Sequence, residues 1–255
     1  MVRIAASLRA LLSNLIDYAG LYPPASLPMA IVLERYRCFR ASPEAWILNR
    51  LVLPAGKLGE VTPGPGWRIT LLVDREPGPL PPQVETLETG LVRPLSLPTY
   101  CEAPVEQIAG TYVKYRTGGV AAALIPSTAQ VASFLCRAAA RRLPFKATAG
   151  LHHPIRSIRP LTYTPESERA YMHGFLNVFT AAAFAWYGMD EAGVTGVLEE
   201  TDAAAIEFAD DGLDWRGHRL GTEQIRCARR EFAHSFGSCS FEEPVSELRE
   251  LELLP

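Results

Sequence analysis

Thr111-Tyr112-Val113-Lys114-Tyr115-Arg116-Thr117-Gly118 and Leu143-Pro144-Phe145-Lys146-Ala147-Thr148-Ala149-Gly150 decide how this chain folds. Each is an apolar run of strand length with a lysine in it and a glycine four residues after the lysine. Between them Ser127 opens a helix with Gln130 at the capping-box position. Val131, Phe134, Leu135 and Ala138 then recur at helical spacing until Arg141 and Arg142. Lys114 and Lys146 are 32 residues apart (146 minus 114), about one β-helix-β unit. Such a crossover makes its two strands parallel and nearly always right-handed. Both lysines are therefore expected at the C-terminal edge of a sheet, where α/β proteins keep their ligands. The expected fold is a single α/β domain over residues 1–255, a (β/α) barrel or degenerate barrel with a mostly parallel sheet.

The pattern extends outward from this unit. Residues 3 to 16 space Ile4, Leu8, Leu11, Leu12 and Leu15 as an amphipathic helix, and Pro23-Pro24 ends regular structure after it. Asp17, Tyr18 and Tyr22 fall beside that Gly-Pro loop, which reads first as a plain connection, with a site wall as the alternative. Residues 28 to 40 read as a helix with Ile31, Val32, Tyr36 and Phe39 inward. Strands are expected at 50–54, at 69–73 closing on Asp74, and at 99–104 with Glu102 near its end. The Pro-Gly stretches 62–66 and 77–82 read as loops within one domain. Beyond Gly150, residues 166 to 187 read as one apolar helix that puts His173 and Asn177 on a shared face. Asp190 caps a short helix, 206–215 reads as a hairpin, and Thr222 starts a helix ending near His234. A small-residue segment at 236–241 and an amphipathic helix at 245–254 close the chain.

Composition excludes several classes. Of 255 residues, 48% are hydrophobic and 21% charged, so a sizeable core is available. With a net charge of -3 and no polybasic run, neither nucleic acid nor a membrane is an expected partner. The expected partner is a small-molecule substrate, and a homo-oligomer is compatible with the sequence. Five scattered cysteines without a C-x-x-C pair fit reduced thiols, hence a cytoplasmic location. No signal peptide is expected, because Arg9 and Asp17 interrupt the apolar start. The most apolar run, 175–189, is too short to span a bilayer.

The lysines carry the chemical argument. Of the 25 basic residues only Lys57, Lys114 and Lys146 are lysine, and two of these lie in apolar segments. Burial can neutralise a lysine amine, whereas arginine stays charged. A neutral amine is a nucleophile or base. Two ammonium groups held close favour that state, so the Lys146 pKa is expected to fall toward neutrality. Glu102 and Asp74, at neighbouring strand ends, are candidates to shuttle protons. The blander alternative makes the lysines strand-end charges that neutralise carboxylates.

Phe145-Lys146-Ala147-Thr148-Ala149-Gly150 resembles the Schiff-base strand of class I aldolases on (β/α) barrels, of the deoxyribose-phosphate aldolase type. The resemblance covers about six residues. It implies Lys146 as the imine-forming nucleophile and Lys114 as the cation that lowers its pKa. It implies a lyase acting on a small carbonyl compound.

Substrate-binding candidates surround these lysines. Thr117-Gly118-Gly119 and the segment around Ser238 expose backbone N–H groups beside small residues, a pattern that cradles phosphate or carboxylate. Arg116 adds a fork of donors, and Thr148, His152 and His153 follow Lys146. Cys239 is a weaker nucleophile candidate, since buried cysteines are usually inert. The histidine spacing fits no metal motif, and no metal or other cofactor is expected. The favoured reading is an enzyme, a lyase or isomerase, that acts on a small carbonyl or anionic metabolite by imine formation or proton transfer at Lys146, and two rivals stand beside it. One is a metal-dependent enzyme using His152, His153 and a third ligand from His173 or Glu102. The other is a non-catalytic protein that holds a small anion.

Overall fold

The structure, a computed structural model, describes residues 3–255. Eight strands close into an all-parallel barrel. They are β1 (Ile16–Tyr18), β2 (Leu48–Pro54), β3 (Ile69–Leu72), β4 (Val84–Thr89), β5 (Thr99–Cys101), β6 (Tyr112–Arg116), β7 (Phe145–Thr148) and a last strand, Ala233–Ser238. The last strand closes the ring between β7 and β1. The expected (β/α) barrel is present, in a lopsided form.

Between β2 and β6 the crossovers hold only short 3-10 turns or loops. Pro and Gly occupy those connections, so no α-helix forms there. The α-helices lie before β2 and after β6 instead. α1 (Ala6–Leu12) precedes β1, and α2 (Met29–Arg40) joins β1 to β2. α3 (Thr128–Ala140) joins β6 to β7. Its capping box forms as read: Ser127 Oγ accepts from the Gln130 N–H at 3.2 Å, and Gln130 Oε1 accepts from the Ser127 N–H at 2.8 Å.

After β7 come a hairpin, β8 (Ser157–Pro160) and β9 (Arg169–Met172), and two helices, α4 (Phe175–Trp186) and α5 (Glu191–Glu199). A three-stranded antiparallel sheet follows, β10 (Ile206–Phe208), β11 (Gly212–Trp215) and β12 (His218–Gly221). α6 (Thr222–Glu231) leads into the closing strand, now β13, and α7 (Glu242–Glu250) ends the chain. α4 is buried from Phe175 to Ala185, because α3, α5, α6 and β13 all pack on it. An all-round apolar helix requires that environment. Among the described residues no helix is long and apolar enough to cross a membrane.

Four local expectations need correction. The helix read over 166–187 starts only at Phe175, and its first part holds β9, whose Tyr171 pairs with Ile158 of β8. His173 and Asn177 therefore do not share a helical face. The strand over Val84–Thr89 went unread, although Val and Thr flanked by Pro82 and Gly90 are a strand signal. His234 belongs to β13, not to the helix before it. Ile31 points outward on α2, which buries Val32, Tyr36 and Phe39.

The Lys-x-x-x-Gly echo has a structural cause. β6 and β7 pair in parallel with Lys114 beside Lys146. Four residues on, Gly118 meets Gly150, and a Cβ on Gly118 would sit 2.8 Å from the Gly150 Cα. Gly150 also has φ +78°, a left-handed value that glycine adopts at no steric cost. The two strands leave the barrel rim in contact, and neither position has room for a side chain.

Candidate functional site

The lumen of an eight-stranded barrel is just wide enough to be filled by side chains, most often branched apolar ones. Here Asp17, Thr70, Thr86, Glu88, Tyr100, Lys146 and Ser235 are buried along its strands. On β4 the strand period puts Thr86 and Glu88 on one face, with Thr86 bonded to Thr70 across to β3 at 2.8 Å. That period delivers Glu88 to the lysines of β6 and β7.

Lys146 Nζ lies 2.5 Å from Asp17 Oδ2 and also donates to Glu88 Oε1. The second Glu88 oxygen lies 3.0 Å from Lys114 Nζ. Lys114 reaches Glu102 at 3.3 Å, and Arg116 pairs with Glu102 at 3.0 Å. The result is a ladder of alternating sign: Asp17, Lys146, Glu88, Lys114, Glu102, Arg116. Side-chain exposure rises along it from 1% at Asp17 and Lys146 to 4%, 11%, 36% and 45%. The ladder runs from a sealed interior to an open mouth.

Asp17 anchors the sealed end. It accepts from Asn49 Nδ2 at 2.7 Å, from the Arg50 backbone N–H at 3.1 Å and from Ser235 Oγ at 2.8 Å. A carboxylate held by so many donors stays ionised. Burial pushes its pKa up, but Lys146, Arg50 and the bonds from Lys146 and Ser235 outweigh burial, so it lies below the ordinary value. Glu88 behaves alike: burial is overcome by the charges of Lys146 and Lys114.

The expected fall of the Lys146 pKa is overturned. Burial does lower it, but Asp17 and Glu88 together outweigh burial, and the pKa is raised above the ordinary lysine value. Lys114 and Lys146 do not confront each other as bare charges, because Glu88 bridges them. Lys146 is an ammonium in the resting protein.

A cavity of about 330 Å³ opens at the C-terminal mouth, walled by Tyr22, Glu88, Lys114, Arg116, Thr148 and His152, among others. Lys146 lies behind Glu88 rather than in the wall. The Tyr22 hydroxyl is buried and has no hydrogen-bond partner among the described residues. Burial, then the Glu88 charge, push its pKa above the ordinary tyrosine value.

Other predicted residues divide. Gly119, Gly237 and Cys239 line the same cavity, so the two glycine segments do meet there. Burial raises the Cys239 thiol pKa, so it is a poor thiolate. Thr117 donates to the Ala149 carbonyl at 2.6 Å and, with Gly118, holds the β6–β7 junction. Ser238 is buried, its Oγ accepting from the Ser240 N–H at 3.3 Å. Asp74 is exposed beyond β3 and is not part of the cavity wall.

His152 and His153 face α7: His152 Nδ1 lies 3.1 Å from Glu243 and His153 Nδ1 lies 2.7 Å from Glu247. The suggested third metal ligands are elsewhere. His173 Nε2 donates to the Pro126 carbonyl at 2.8 Å, and Glu102 serves Lys114 and Arg116.

Sequence reasoning misses Glu88, and it ranks Asp17 and Tyr22 as parts of a connecting loop ahead of a site wall. Asp17 sits on a three-residue strand that read as the end of a helix and a loop. Glu88 carried a usable signal in the strand pattern of residues 84–89.

Compared with known proteins, the chain matches no protein-family model, no curated protein and no solved structure.

Proposed function

We propose that this protein is an enzyme, a lyase or isomerase, that moves a proton beside the carbonyl of a small anionic metabolite. One observation carries the reading: Glu88, a cavity-wall carboxylate, is shared between Lys146, which is sealed in the lumen, and Lys114, which opens on the cavity. Such an arrangement joins a base to positive charge that a developing enolate oxygen requires.

In the resting state two ammoniums hold Glu88 ionised and only weakly basic. A substrate carbonyl entering the cavity competes with Glu88 for Lys114. Losing one counter-charge raises the proton affinity of Glu88, which then takes the proton from the carbon next to the carbonyl. The electron pair moves into the carbonyl oxygen, stabilised by the Lys114 ammonium. Arg116, at the rim, offers a planar fork to a carboxylate or phosphate on the substrate. The Tyr22 hydroxyl, without a partner among the described residues, lines the same cavity and offers a hydrogen bond or proton to the substrate.

The imine route implied by the aldolase resemblance belongs to the same site. It requires a lysine to shed its proton, which the raised pKa of Lys146 opposes. The test incubates the protein in deuterium oxide with a panel of 2-oxo acids and phosphorylated ketones and follows exchange at the α-carbon by NMR. Exchange that vanishes in Glu88→Gln supports proton transfer. Borohydride capture of substrate on a lysine peptide would replace it with the imine route. Binding of panel members without exchange or capture would make the protein an anion binder.

A further inference from the structure

A second constellation lies beside the lysine cavity and takes no part in the ladder. His153, Glu243 and Glu247 each offer a ligand atom, and these atoms all lie within 4.8 Å of one another. They border a cavity of about 150 Å³ together with His152, Arg159 and Tyr163. His152 also lines the lysine cavity, so the two spaces share a wall.

The sequence builds this cluster in two rigid pieces. Glu243 and Glu247 are four apart on α7, which places both carboxylates on one helix face. The histidines are fixed by their own backbone. The His153 carbonyl accepts from the Phe175 N–H, and the Pro154 carbonyl accepts from the Leu176 N–H, each at 2.9 Å, at the first turn of α4. Gly174 allows this close approach, since a Cβ there would lie 2.4 Å from the Pro154 carbonyl oxygen. Buried Asn177 completes the clamp: its Oδ1 accepts from the Arg156 N–H at 2.9 Å, and its Nδ2 donates to the Val197 and Glu200 carbonyls. The side chains therefore meet α7 from a loop with little freedom.

We propose that His153, Glu243 and Glu247 form a binding site for a divalent transition-metal cation of the zinc class. One imidazole and two carboxylates are a donor set such ions accept, and three protein ligands leave a position open. Coordination through His153 Nδ1 takes the place of the His153–Glu247 hydrogen bond, with the imidazole proton carried on Nε2, and small rotations close the ligand spread to coordination distance. Tyr163, whose hydroxyl donates to Glu243 at 3.2 Å, and Arg159, 3.3 Å from Glu247, hold the outer carboxylate oxygens. The balance of fixed charge supports a cation: the carboxylates of Glu243 and Glu247 face a single arginine, Arg159. Hard cations are disfavoured, because they take all-oxygen shells. This site stands apart from the proton-transfer reading, and its test measures metal content rather than turnover.

The experiment uses the full chain carrying Cys38→Ser, which removes the exposed thiol as a competing ligand. After chelator treatment it is dialysed against Zn²⁺, and bound metal is counted by elemental analysis. About one zinc per chain is expected, with a rise of roughly 5 °C in Tm at a hundredfold excess over Kd. His153→Gln and Glu247→Gln should each weaken zinc binding at least tenfold, while His218→Gln, at an exposed histidine on β12, should not. Circular dichroism confirms that each variant is folded. Magnesium should give no shift. The proposal is overturned if zinc stays below a tenth of an equivalent, or if His153→Gln and Glu247→Gln bind it as well as the parent.

Discussion

The two mouths of the barrel differ in the kind of charge they hold. The C-terminal mouth alternates lysine and carboxylate around a cavity of about 330 Å³. The N-terminal mouth is larger, about 690 Å³, and is lined by Arg9, Arg50, Arg68, Arg226, Arg229 and Arg230, with Glu85 as the one carboxylate among the described residues. Arg50 and Arg68 share Glu85 at 2.8 and 3.0 Å. Buried Arg229 donates to the carbonyls of Leu11, Ser13, Ala233 and His234, tying the end of α1 to the start of β13. The histidine there is occupied as well. His234 Nε2 lies 3.0 Å from the Arg230 carbonyl and must donate to it, so Nδ1 accepts from the Tyr100 hydroxyl at 2.7 Å. Size therefore does not locate chemistry. Arginines that stay charged and are bonded to backbone make a frame, whereas lysines that share a carboxylate at a cavity wall can exchange partners.

The largest effect that would separate the mouths is on exchange. Glu88→Gln should cut α-proton exchange roughly 10²- to 10⁴-fold, the usual contribution of a positioned base. Glu85→Gln, at the other mouth, should leave exchange within about twofold. Equal losses would erase the distinction.

Next comes stability. Lys146→Met leaves Asp17 and Glu88 buried beside one cation fewer, and should cost about 3–5 kcal/mol in urea unfolding. A Lys146→Met protein as stable as the parent would show that the ladder is not held by this ion pair.

The two mouths should also titrate in different windows. His234 is pushed down to about 4 by burial and then by Arg229, against an ordinary 6.5. The unfolded chain binds that proton more tightly, so stability should fall as pH drops from 6.5 toward 4. Buried His173 acts in the same direction. His234→Asn should flatten that slope by on the order of 1–3 kcal/mol. Asp17 and Glu88 are held below their ordinary 3.8 and 4.5. Their contribution is complete above about 4.5 and is lost as pH falls through the depressed folded values. Lys146, raised above 10.5, keeps its contribution until strongly alkaline pH. Urea midpoints measured from pH 7 to 3 should show the histidine slope first and the carboxylate loss below it.

The smallest effect belongs to the arginine frame. Glu85→Gln should cost about 0–1 kcal/mol, because the pairs are partly exposed. A loss several times larger would mean that the N-terminal mouth depends on its one carboxylate as the other does on Glu88.

The sequence by itself determined the parallel β6–α3–β7 unit, because capping chemistry, helical spacing and paired lysine-glycine frames are local signals. It also placed Lys114, Arg116, Thr148 and His152 together, since one crossover sets their common edge. Only the tertiary structure decided what the lysines are. Asp17 reaches Lys146 across 129 residues and Glu88 across 58, through barrel closure that no local pattern encodes. Those two carboxylates reverse the direction in which burial alone would move the Lys146 pKa. The same closure brings Glu243 and Glu247 to the two histidines, which the sequence showed only as adjacent residues in a loop. A charge is defined by its neighbours, and in a barrel the neighbours of a lumen residue lie on strands far away in the chain.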